Sequence, residues 1–375
     1  LMRQRKLQEA EQSLHKTIEL NPSFPDAYSN LGNILRDHGK FKEAEFLTRK
    51  AIELKPDFII AYHNLGTILR DLGEIKEAEF YIHKAIELQP NFAKAFYSLS
   101  VINPSNNQNE WQKKLFSNDI LTNQDDIGMA NIYFARVNVL EEKFDFSQAS
   151  NYLQKANNLT RNVYGSDFSN IQSKIKSFYQ DSKESKIDNN VNSNLPEPIF
   201  IAGMPRSGKT ITESILASNA KVLKLGESQA LEIAIKMYLK TKRKLLNINL
   251  YDLYLDNIEK EYFGKSYICS TMPMAFIYTG LIINKIAQAK EIYCYRNPLD
   301  NIIEIYKKNL EDRHTYSCSI VESTNLWLEV DSLMKKYKKN YNSKIYFLNY
   351  DNLVTHPEKE IKDLLNWLGW ENNKK

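Results

Sequence analysis

Apolar and small residues return in register every 34 positions through the opening part of the chain, marked by Pro22, Pro56 and Pro90. Leu20, Leu54 and Leu88 precede the prolines, Tyr28, Tyr62 and Phe96 follow them, and Leu31, Leu65 and Leu99 come next. Gly32 and Gly66 adjoin the first two of these leucines, and Gly39 and Gly73 mark turns. Ala10, Ala44 and Ala78 open a second helix, with Ala51 and Ala85 further along it, where small side chains let two helices cross closely. A period of this length predicts a repeated helix pair. One pair cannot bury its apolar face alone, so the units stack into a solenoid.

The register breaks at Asn103-Pro104-Ser105-Asn106-Asn107, and Tyr133, Ala149, Ala156 and Leu159 recover it, which predicts a degenerate unit over residues 127–160. Asp181 to Pro198 is polar, has two prolines near its end, and reads as a linker. Short apolar runs then alternate with helical ones: Ile199 to Gly203, Val222 to Leu225, Ser266 to Ser270, Glu291 to Tyr295 and Lys344 to Tyr350. That alternation predicts an α/β domain with a mainly parallel sheet. The expected division is a helical repeat domain at 1–180, degenerate after about 103, a linker at 181–197 and the α/β domain at 198–375.

Composition narrows the function classes without naming one. Of 375 residues, 42% are hydrophobic and 11% aromatic, enough for packed cores and too many for a disordered chain. The net charge of +4 is nearly balanced, so no nucleic-acid partner is expected. The runs Lys240-Thr241-Lys242-Arg243-Lys244 and Lys335-Lys336-Tyr337-Lys338-Lys339 read as solvated helix ends. Cys269, Cys294 and Cys318 are odd in number and lack metal-ligand spacing, as expected of reduced thiols in a cytoplasmic protein. The longest apolar stretch, Ala275 to Ala289, is interrupted by Asn284, Lys285 and Gln288, so no membrane span is expected. Leu1 falls in mid-helix pattern, as an excerpt of a longer protein would.

The chemistry is expected after the first strand of the second half, because open α/β sheets bind ligands off the carboxyl ends of their strands. There the chain reads Gly203-Met204-Pro205-Arg206-Ser207-Gly208-Lys209-Thr210 and enters a helical segment. Successive amides and a helix amino terminus in that context converge on a phosphate or sulfate. A tight turn alone would need the glycines. It would not need two basic residues and two hydroxyls in eight positions.

The 34-residue unit resembles the tetratricopeptide repeat, with two complete copies at about Asn21 to Leu88. Taken alone, the loop fits the P-loop of ATP- and GTP-binding proteins, with Lys209 on phosphates and Thr210 on magnesium. Taken with its surroundings, Pro198 to Gly208 resembles the opening of the sulfotransferases. Leu225-Gly226-Glu227, Met272-Pro273, Tyr295-Arg296-Asn297-Pro298-Leu299-Asp300, Leu348-Asn349-Tyr350-Asp351-Asn352-Leu353 and Leu365 to Glu371 resemble later segments of the tyrosylprotein-type and repeat-fused members, in family order.

That resemblance implies transfer of a sulfuryl group from 3′-phosphoadenosine 5′-phosphosulfate to an acceptor hydroxyl, without a metal. It implies Glu227, Arg206 and Lys209 as catalytic residues, and Arg206, Ser207, Gly208, Lys209, Thr210, Ile211, Arg296 and Lys308 as donor contacts. The repeats would bind a protein or peptide, or serve as a scaffold. Three positions depart from the family pattern: Thr271 stands where many relatives carry a lysine, Lys209 where the loop carries Thr, and Glu304 where a serine contacts the 3′-phosphate. Lys209 is expected to restore the charge lost at Thr271, and Lys308, at i+4, to pair with Glu304. The alternatives are a magnesium-dependent phosphotransferase using ATP or GTP, and a non-catalytic nucleotide-binding scaffold.

Overall fold

The computed structural model describes residues 2–104, 110–184, 194–242, 249–258, 262–272, 274–310 and 314–370. Ser105 to Asn107 of the register break, most of the expected linker, Arg243 and Lys244 of the first basic run, Pro273 and Glu371 lie outside the described residues. The chain separates into two units, Leu1–Gly165 with Lys307–Cys318, and Ser166–Tyr306 with Ser319–Lys375.

The first unit is helical. Helices α1 (Met2–Leu20), α2 (Pro25–Asp37), α3 (Phe41–Leu54), α4 (Ile59–Asp71), α5 (Ile75–Leu88) and α6 (Ala93–Ile102) follow the sequence period. α7 (Glu110–Leu115) is short, and α8 (Asp126–Glu142) and α9 (Phe146–Tyr164) form a further pair in which Ala149 and Ala156 are buried. Each period repeats its bonds as well as its residues: the Tyr28 hydroxyl donates to the Pro22 carbonyl and the Tyr62 hydroxyl to the Pro56 carbonyl, both at 3.1 Å. Gly32 and Gly66 sit where a Cβ would come within 3.0 Å of the Ala44 and Ala78 carbonyl oxygens. That close approach explains why the period keeps glycine and alanine facing each other at the crossing.

In the second unit, α10 (Phe168–Glu184) precedes β1 (Glu197–Ala202), α11 (Lys209–Ala217), β2 (Val222–Lys224), α12 (Ala230–Lys242) and α13 (Leu250–Asp256). There follow β3 (Tyr267–Thr271), α14 (Thr279–Lys285), β4 (Lys290–Tyr295), α15 (Pro298–Tyr306), α16 (Ile320–Asn340), β5 (Ile345–Asn349), α17 (Tyr350–Thr355) and α18 (Pro357–Leu368). All five expected runs are strands of one parallel sheet, in the order β2-β3-β1-β4-β5. Strands buried on both faces read as continuous apolar runs, which is why Ile199 to Ala202 and Ile292 to Cys294 show no alternation.

Two boundaries differ from the sequence division. α10, expected to close the helical domain near 180, packs on α14 and α16, where the Asn284 side-chain amide donates to the Ser182 carbonyl at 2.9 Å. The segment Lys307–Cys318, expected within the α/β domain, groups with the helical unit: Lys307 pairs with Glu141 at 2.9 Å and the Asn309 amide donates to Asn131 at 2.8 Å. Both differences arise from long-range side-chain bonds that local periodicity does not encode.

Glu291 on β4 is wholly buried, accepts one bond from the Thr279 hydroxyl at 2.7 Å, and has a second carboxyl oxygen without a hydrogen-bond partner among the described residues. Burial pushes its carboxyl from the ordinary 4.5 up to about 8. The folded value lies above the unfolded one, so its contribution to stability is full below about 4.5 and is lost as pH rises through 8. Each unit of that difference is about 1.4 kcal/mol. The thermal midpoint is therefore expected to fall between pH 5 and pH 9, and Glu291→Gln to flatten that slope; an unchanged slope in the variant would show that other groups set it.

Candidate functional site

The order of the sheet locates the site before any side chain does. β1 connects toward β2 on one side and β4 toward β5 on the other, so a crevice opens between the carboxyl ends of β1 and β4. The loop Gly203 to Gly208 fills its mouth. Gly203 has φ +148, and a Cβ there would run into the carbonyl oxygen of Cys294 on β4 and lie 2.6 Å from the Ser207 hydroxyl. Gly208 has φ +93 and packs against the ring of Tyr350, so both glycines are required by positive φ and by close neighbours.

Three successive carbonyls of this loop are bonded by side chains. The Lys209 ammonium donates to the oxygens of Gly203 at 3.1 Å and Met204 at 2.9 Å, and the Asn301 amide donates to that of Pro205 at 2.8 Å. Lys209 is buried, which lowers its pKa, while the nearby charge of Glu227 acts the other way. Arg206 then turns the chain at φ +64, and α11 begins at Lys209. The first amides of a helix have no carbonyl of a preceding turn to bond, and they carry the positive end of its dipole. The Ser207 hydroxyl beside them is buried without a hydrogen-bond partner among the described residues. Thr210 and Ile211 are exposed on the first turn of α11.

The opposite wall comes from β4 and α17. Arg296 follows β4, lies over the Tyr350 ring at 5.3 Å, and has weak ion pairs with Asp300 at 3.8 Å and Asp351 at 3.9 Å. Its Nε is buried and lacks a hydrogen-bond partner. The Asp351 carboxylate accepts from the Asn297 amide at 2.6 Å and so ties α17 to the start of α15. Arg206, half exposed, has one guanidinium nitrogen 3.6 Å from the Glu304 carboxylate. The expected partner of Glu304 was Lys308; Lys308 lies in the segment described with the helical unit.

Glu227 is exposed, just past β2, on a turn held by both sides of Gly226. The Gly226 amide donates to Glu213 at 2.9 Å, and its oxygen accepts from the Thr271 amide at 2.9 Å. Glu213 is buried on α11, and burial raises its carboxyl above the ordinary range. The second unit thus brings the loop residues, Arg296 and Glu304 around one crevice. Sequence reasoning missed Asn301, Glu213 and the packing role of Tyr350. The available signal for Asn301 was a polar residue on the apolar face shared by Ile302 and Ile305.

Residues 198–374 match the family model described as the sulfotransferase family, and residues 25–58 and 59–92 match the tetratricopeptide repeat. An uncharacterized protein of Aquifex aeolicus (strain VF5) is 28% identical over 267 residues, which is 64% of this chain and 35% of that protein. The chain therefore spans about a third of the length of this curated relative. Among solved structures, a sulfotransferase from Mycobacterium tuberculosis is 13% identical, covering 67% of this chain and 85% of that one with a TM-score of 0.33. YrrB, described as a tetratricopeptide repeat protein with an unusual peptide-binding site, is 26% identical over 42% of this chain and 80% of its own, with a TM-score of 0.31. Residues 198–374 carry a sulfotransferase-family domain, joined to a tetratricopeptide repeat pair at residues 25–92.

Proposed function

We propose that the chain transfers a sulfuryl group from 3′-phosphoadenosine 5′-phosphosulfate to an acceptor hydroxyl, and that its repeats hold a protein partner or the acceptor. The observation that carries this reading is the pairing of an amide-lined loop with Arg296 across one crevice, each side holding a buried polar atom with no hydrogen-bond partner among the described residues: the Ser207 hydroxyl and the Arg296 Nε. Both are donors, and both suit an anionic nucleotide with phosphate at two ends.

In this reading Arg296 takes the 3′-phosphate, exchanging weak ion pairs with Asp300 and Asp351 for a closer anion. The amides at the start of α11, with Ser207 and Thr210, take the 5′-phosphate and sulfuryl oxygens. The acceptor oxygen bonds to sulfur as the bond from sulfur to the bridging oxygen breaks. Glu227 receives the acceptor proton, and Arg206 with the loop amides stabilises the electron pair left on the bridging oxygen. Lys209, bound to the Gly203 and Met204 carbonyls, maintains the loop rather than replacing the charge absent at Thr271. Glu304 competes with the donor for Arg206.

Calorimetric titration with 3′-phosphoadenosine 5′-phosphate is expected to show binding without magnesium that weakens at least about tenfold in Arg296→Ala, the size of one charged contact. Binding of ATP with magnesium alone would point instead to a phosphotransferase. Glu304→Ser is expected to tighten the same ligand by releasing Arg206; unchanged affinity would show that the pair is broken at no cost. Glu227→Gln is expected to lower the rate of transfer about 100-fold or more with nucleotide affinity retained, as for loss of a general base. Retained transfer would remove Glu227 from the chemistry.

A further inference from the structure

α15 buries Ile302 and Ile305, and beside two such residues an apolar side chain would serve packing best, yet the same face carries Asn301, 1% exposed. Its amide nitrogen donates to the Pro205 carbonyl at 2.8 Å, while its oxygen is buried without a partner. The orientation is fixed by that neighbour, since the flipped amide would set two oxygens against each other. An unpaired buried oxygen is unfavourable, so what selects the amide is the bond to Pro205.

The residue after Pro205 is Arg206, at φ +64, a region in which a Cβ-bearing residue is disfavoured. Its two ends are gripped by one helix. Asn301 holds the carbonyl of the peptide leading into it, and Glu304, at i+3 on α15, faces its guanidinium at 3.6 Å. Lys209 holds the two preceding carbonyls, so Asn301 completes a set that fixes the loop up to the strained residue.

We infer that Asn301 is a positioning residue for donor binding: by fixing the Pro205 carbonyl it keeps Arg206 in the left-handed conformation in which it meets the donor. The inference rests on the donor site proposed above. Asn301 acts through Arg206, so its removal matters only while the guanidinium is present.

A double-mutant cycle on the full chain tests this, with calorimetric titration of 3′-phosphoadenosine 5′-phosphate. Asn301→Leu keeps the branched shape without a donor, and Asn301→Ala removes the amide outright, so the second serves should the first fail to fold. Each is expected to weaken binding about tenfold with Arg206 present, and by less than about twofold in Arg206→Ala, the sign of coupling between the two positions. An equal loss in both backgrounds would show that Asn301 supports the fold generally, and no loss beside an intact Arg206 would show that the Pro205 bond is idle; either overturns the inference and leaves the donor site standing. Unchanged affinity in Arg206→Ala alone would overturn the donor site, and the inference with it.

Discussion

Three consecutive carbonyls determine what the second unit presents at the carboxyl end of its sheet. With the oxygens of Gly203, Met204 and Pro205 bonded by Lys209 and Asn301, the loop is committed at its acceptors, and its remaining polarity is that of amides and the helix dipole. An oxyanion site follows from that commitment. It does not require that any cation point at the ligand, which is why a lysine can stand in the loop and still be spent on the backbone. The two glycines serve the same end, since Gly203 lies against the carbonyl of Cys294 and Gly208 against Tyr350, and neither contact leaves room for a Cβ.

The sheet supplies the rest of the geometry. Its strand order brings the ends of β1 and β4 together, so a phosphate-binding loop and an arginine far apart in sequence become two walls of one crevice. Asp351 and Asn297 then join the start of α17 to the start of α15, and α15 returns to the loop through Asn301 and Glu304. Charge is balanced internally throughout: Arg296 faces Asp300 and Asp351, and Arg206 faces Glu304. These pairs are long and partly solvated, so each contributes little by itself and yields readily to a closer anion.

The repeat period, the five strands and the loop were legible in the sequence because each rests on a local rule: a fixed spacing, an apolar run, glycines where φ is positive. Lys209 shows the limit of such rules. Its motif says that a lysine stands there, and only the fold says that its ammonium turns back onto Gly203 and Met204. For Glu304, helical spacing offers Lys308 and gives no sign of Arg206, which reaches it from a loop about a hundred residues earlier in the chain. Asn301 and Glu213 were missed because their partners, Pro205 and Gly226, are backbone groups, and backbone partners leave no trace in residue identity. The grouping of α10 with the second unit likewise rests on contacts distant in sequence, such as that of Asn284 with Ser182, 102 residues apart.

The central claim is that the loop after β1 and Arg296 hold the two phosphate ends of one nucleotide. A crystal structure with 3′-phosphoadenosine 5′-phosphate tests it most directly. The account predicts the 5′-phosphate on the amides between Arg206 and Thr210, the 3′-phosphate on Arg296, and Lys209 still bonded to Gly203 and Met204. A nucleotide bound elsewhere, or a loop whose carbonyls turn toward the ligand, would contradict it.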